Sequence, residues 1–92
     1  MITQAHIDYI WNNSEIRTTV IFDKCLIMAV QLPNGFILTE SSGCIDPKDF
    51  DEKIGFECCK ERIINEIWKL EGYLAQDKTA YNYDLDEEFI NE

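Results

Sequence analysis

The groups in this chain able to do chemistry are four cysteines, one histidine, eight lysines and arginines, and eighteen acids among 92 residues. Cys25, Cys44, Cys58 and Cys59 contain no C-x-x-C pair, and His6 lies far from all of them in sequence. On a helix, neighbours such as Cys58 and Cys59 point about 100° apart, so they converge poorly on one metal ion. Reduced, buried thiols are the expectation, with neither a zinc site nor a disulfide framework. His6 has no nucleophile near it in sequence and reads as a surface residue close to the N-terminus. Asp49, Asp51, Glu52 and Glu57 crowd the start of a helical stretch, where the helix dipole alone favours acids. A solvated acidic face is the expectation there. With no glycine-rich phosphate loop either, the chain is expected to be neither an enzyme nor a cofactor carrier.

That leaves binding. Arg17 and Arg62 are the candidate anion ligands, because a guanidinium offers a planar fork to a phosphate. Phe36 and Tyr73 are the candidate stacking surfaces for a base. Each also has an ordinary reading: a surface ion pair for the arginines, and core packing for the aromatics.

The elements that must hold these residues are legible in outline, and they make an α+β fold. Thr3 can cap a short helix running to Trp11, with Ile7, Ile10 and Trp11 on its apolar side. Residues 18–22 read as one strand and residues 25–32 as a second, with Asp23-Lys24 as the turn between them. A single strand over residues 17–32 is the competing assignment. The near-continuous apolar run Leu26-Ile27-Met28-Ala29-Val30 predicts a strand covered on both faces. Pro33-Asn34-Gly35 is a hairpin turn, since Asn-Gly tolerates positive φ, and residues 36–39 return as a third strand.

Asp46-Pro47 pairs a capping carboxylate with the residue best suited to a first helical position. It predicts one long helix over residues 46–73, with Gly72 as its C-cap or as a point of close approach. Phe56, Cys59, Ile63, Ile67, Leu70 and Leu74 form a stripe for the sheet. A second, broken stripe of Phe50, Ile54, Cys58 and Trp68 predicts contact with another copy of the chain. The domain is expected to span residues 1–75, followed by an acidic tail over residues 76–92.

The formal charge is −10, and half of it falls in residues 76–92, where six acids face Lys78 alone. Such a surface argues against direct binding of a nucleic-acid backbone. No apolar run approaches the ~18 residues of a membrane span, and no signal peptide stands out. A location in the cytoplasm, away from membranes, is expected.

Asn34-Gly35-Phe36, Cys44-Ile45-Asp46-Pro47, Phe50-Asp51, Ile54-Gly55 and Ile67-Trp68-x-Leu70-Glu71-Gly72-Tyr73-Leu74 together resemble the phage gp-forty-nine/sixty-six family of small accessory proteins. The likeness runs over about forty residues and leaves the acidic tail outside. It departs at Phe56-Glu57, where the family often has a basic residue, and at Glu40, where it usually has glycine. The family resemblance implies a phage protein working in the cytoplasm of the bacterial host. The layout of strands before long helices also resembles, as architecture only, the phage sponges that inhibit Thoeris defence by holding its signal nucleotide.

Two functions follow as expectations. The first is a homo-oligomeric counter-defence protein that sequesters a small anionic signal, such as a cyclic nucleotide, at a subunit interface through Arg17, Phe36, Arg62 and Tyr73. The alternative is an acidic interaction protein, or nucleic-acid mimic, that binds a basic host or phage protein.

Overall fold

The computed structural model describes residues 1–81. Helix α1 (Gln4–Asn12) starts at Thr3, whose hydroxyl accepts the His6 N–H. It ends where Asn13 Nδ2 donates to the Tyr9 carbonyl and the Ser14 hydroxyl to that of Ile10. Short polar side chains here take over backbone bonds that a further helical turn would need. Strands β1 (Glu15–Ile21), β2 (Cys25–Gln31) and β3 (Ile37–Gly43) then form an antiparallel meander in the order β1-β2-β3. A one-turn 3-10 helix (Pro47–Asp49) leads to helix α2 (Glu52–Tyr81). The architecture is α+β, with both helices on one face of the sheet.

The turns follow from their residues. Between β1 and β2, Phe22 and Asp23 both adopt positive φ (55° and 57°), so the chain turns at Phe22–Lys24 and no single strand crosses residues 17–32. A bulky residue such as Phe22 rarely enters this region. At the second hairpin only Gly35 is left-handed (φ 94°). Asn34 contributes instead through its side chain, which accepts the Phe36 N–H at 3.0 Å.

The helix boundaries differ from the expectation at both ends. Asp46 does cap, accepting the Lys48 N–H, but it caps only the 3-10 turn. Phe50 is extended, and Asp51 then accepts from Lys53 and Ile54 to start α2. Two capping carboxylates lie five residues apart, and the later one opens the long helix. At the other end α2 runs through Gly72 to Tyr81, including residues 76–81 of the expected tail. Gly72 is neither a cap nor a close approach: a Cβ there would meet nothing within 4 Å. The rest of that tail, residues 82–92, lies outside the described residues.

Leu26, Met28 and Val30 of β2 point at the helices and are almost fully buried. With Ile7 and Trp11 of α1, Leu32, and Cys59, Ile63 and Ile67 of α2, they make the core. Gly55 lets α2 approach the sheet, since a Cβ there would sit 3.4 Å from Cβ of Leu26. The alternate residues Cys25, Ile27 and Ala29 face the other way and are only half-buried. Among the described residues the expected cover on both faces of β2 is therefore absent, and neighbouring strands shield that row from the sides. Nor does the second helical stripe need a copy for all its members. Phe50 and Trp68 pack on this chain's own core, leaving Ile54 exposed. Helix α2 has partners within the chain besides the sheet, because α1 and the Phe50 loop also reach it.

Candidate functional site

At about 1.5 Å per residue, the 30 residues of α2 extend roughly 45 Å, whereas seven-residue strands reach about 23 Å. The helix therefore outruns the sheet. Its apolar stripe continues past Ile67 to Leu70 and Leu74, beneath which no strand lies among the described residues, and both are partly exposed. Across from them stand Tyr9 and Ile10 of α1 and the β2–β3 turn with Leu32, Pro33, Asn34 and Phe36. Together they enclose a cleft of about 380 Å³. Its polar side chains are Asn34, His6, Glu71 and the phenol of Tyr9, and the Glu71 carboxylate accepts a hydrogen bond from His6 Nε2. No lysine or arginine lines it among the described residues.

The four residues singled out from sequence are dispersed within one chain. Phe36 lines the cleft, half-exposed. Tyr73 is on α2 beside it but is not among its walls, and is 71% exposed. Arg17 projects from the uncovered face of the sheet, opposite Ala29, with Nη2 2.6 Å from Glu15 Oε2. Arg62 reaches from α2 to the far edge of the sheet, where Nη1 donates to the Ser41 carbonyl at 2.6 Å. The two arginines thus serve opposite edges and each already has an oxygen partner. Neither points a guanidinium into the cleft.

The remaining chemistry-bearing groups resolve into local roles. Asp51 caps α2. Cys59 is the one fully buried thiol, and burial pushes its pKa above the ordinary 9.0, with the Arg62 charge working against that shift and Glu40 adding to it. Cys25, Cys44 and Cys58 are free and only half-buried, so the expected set of buried thiols shrinks to one. No group of three or more His, Cys, Asp or Glu side chains is placed to hold a metal among the described residues.

The cleft itself was missed from sequence, apart from Phe36. Its walls come from segments more than sixty residues apart, and no spacing rule links Tyr9 to Leu70. One signal was available: a helical stripe that keeps its apolar period beyond the length of any strand must leave the sheet and look for other cover. His6, taken as a surface residue, is half-exposed yet ties α1 to α2 across this cleft.

No curated protein and no solved structure matches the chain. A family model does, over residues 2–79, nearly the whole described fold rather than the roughly forty residues whose motifs stand out. The chain belongs to the phage protein (N4 Gp49/phage Sf6 gene 66) family.

Proposed function

We propose that this phage accessory protein is a binding protein that acts in the cytoplasm of the infected host and engages another protein through the cleft between α1, the β2–β3 turn and α2. One observation carries the reading: the cleft joins a wide apolar wall to the Glu71 carboxylate, which His6 holds in place, and no lysine or arginine lines it among the described residues. A phosphate group would lose its water there, meet the Glu71 carboxylate and find no lysine or arginine to pair with. An apolar side chain carried next to a lysine or arginine fits both features, and a net charge of −10 steers such a partner inward. No helix among the described residues is long and apolar enough to cross a membrane. This reading takes the acidic-interaction alternative over nucleotide capture.

Nucleotide capture keeps one supporting feature: Arg17 stands 81% exposed beside a shallow hollow formed with Ala29, Gln31 and Ile37. It requires a second copy to bring further cations to that face. A single comparison separates the two. Wild-type chain and Leu70→Glu would each be used to capture proteins from infected-cell lysate at two salt concentrations, and each screened against cyclic nucleotides by native mass spectrometry. A protein retained by the wild type, released by salt and lost with Leu70→Glu supports the cleft. Identical captures with both chains, or a nucleotide adduct abolished by Arg17→Ala, would overturn it.

A further inference from the structure

The two edges of the sheet are treated differently by the rest of the chain. Strand β3 is overlaid by α2, and Arg62 occupies the Ser41 carbonyl along it. Among the described residues, strand β1 has no such cover. Of its seven residues only Ile16 is shielded; Thr18 and Val20, which share the helix-side face with it, are exposed. An open edge strand presents a row of free N–H and C=O groups, and proteins usually guard it with lysine, proline, a bulge or short length. Glu-Ile-Arg-Thr-Thr-Val-Ile has no lysine, proline or bulge and is rich in β-branched residues; its two charges, Glu15 and Arg17, neutralise each other.

We propose that β1 is a pairing edge for a second copy of this chain, β1 against β1 in antiparallel register, giving a continuous six-stranded sheet. Charge selects this occupant. Copies of a chain with net charge −10 repel one another through their acidic regions, yet β1 is neutral, with Glu15 and Arg17 held together. The pairing is also self-complementary. Centred on Thr18, it uses all seven residues: Glu15 meets Ile21, Ile16 meets Val20, Arg17 meets Thr19, and Thr18 meets its own counterpart. No like charges stand directly opposite, and the two Arg17 side chains are diagonal neighbours, each with its own Glu15. On the helix side, the Ile16–Val20 pairs extend the apolar core across the seam, and β-branched and Thr–Thr cross-strand pairs are stabilising. The two-fold axis stands normal to the sheet, so both sets of helices share one face. This surface is separate from the cleft, and the pairing stands or falls without it.

The test is sedimentation of the full chain over a concentration series, alongside Thr18→Lys, Thr18→Cys and Thr19→Cys, with circular dichroism checking the fold of each. A concentration-dependent dimer is expected. Thr18→Lys sets two ammonium groups face to face and should raise the dissociation constant on the order of tenfold or more. Opposed residues in antiparallel strands are about 4.5–5.5 Å apart at Cα, within disulfide range, whereas diagonal ones at about 7–8 Å are not. Mild oxidation should therefore give a covalent dimer mapped to residue 18 in Thr18→Cys, and none at residue 19 in Thr19→Cys. A chain that is monomeric throughout, or a dimer indifferent to Thr18→Lys that yields no disulfide at residue 18, overturns the proposal. If the lysine variant fails to fold, the two cysteine variants decide alone.

Discussion

Between Gly55 and Ile67, α2 buries Gly55, Cys59, Ile63 and Ile67 against the sheet, whereas Leu70, Tyr73 and Leu74, a few residues on, stand 36, 71 and 43% exposed. Both halves carry helix-forming sequence with apolar residues at steps of three and four. The difference lies in what is opposite. The first half meets Leu26, Met28 and Val30; the second meets α1 and a turn, which leave a gap between them. Periodicity therefore sets which way a side chain points, while the length of the facing element sets whether it becomes core or surface.

The contrast can be attacked at matched positions. Ile63→Ala empties a fully buried site in the first half and should cost about 2–5 kcal/mol, whereas Leu74→Ala in the second half should cost under about 1 kcal/mol. Chemical denaturation of the two variants measures both. If they destabilise equally, the halves are not distinct. The two glycines give the next largest effect, with opposite signs. Gly55→Val would push extra methyl groups onto Leu26 and should destabilise by about 1–3 kcal/mol. Gly72→Ala meets open space within a helix and should stabilise by about 0.5–1 kcal/mol, seen as a rise in Tm.

The smallest effect is at Cys59, in the closed half. Its folded-state pKa is raised above 9.0 by burial, so above pH 9.0 the unfolded chain loses a proton that the folded chain keeps. Stability is then lost as pH climbs from 9.0 through the folded value, and Cys59→Ala should abolish that slope; at neutral pH the ionisation contributes nothing. In the native protein at neutral pH, a thiol reagent should reach Cys25, Cys44 and Cys58 before Cys59, which should react only on unfolding.

Most of the fold was legible because it rests on local chemistry. The β-branched runs, the Pro33-Asn34-Gly35 turn and the Thr3 cap each act within a few residues and each is present, although β1 starts at Glu15 rather than residue 18 and β3 runs on to Gly43 rather than residue 39. The helix ends were misplaced because local signals competed. Asp46 and Asp51 are both capping carboxylates, and only the path of the chain out of β3 decides that the second opens α2. Gly72 carries the composition of a stop, yet the helix loses little there and runs on. The site was least legible. Arg17 and Arg62 were identifiable as cations, but their actual partners, Glu15 and the Ser41 carbonyl, depend on strand register and on where α2 crosses the sheet.

The His6–Glu71 hydrogen bond joins residues 65 apart in the chain, while every strand pairing is between neighbours in sequence. As the polypeptide is made, the meander can close on itself as soon as β3 is available, using only short loops. Helix α1, synthesised first, must wait for Glu71 before it acquires its lasting position. It is therefore the element expected to detach first from the finished fold, and native-state hydrogen exchange should find its amides opening ahead of those in β2. Early in sequence and late in assembly, α1 acts as the latch of the molecule rather than its foundation.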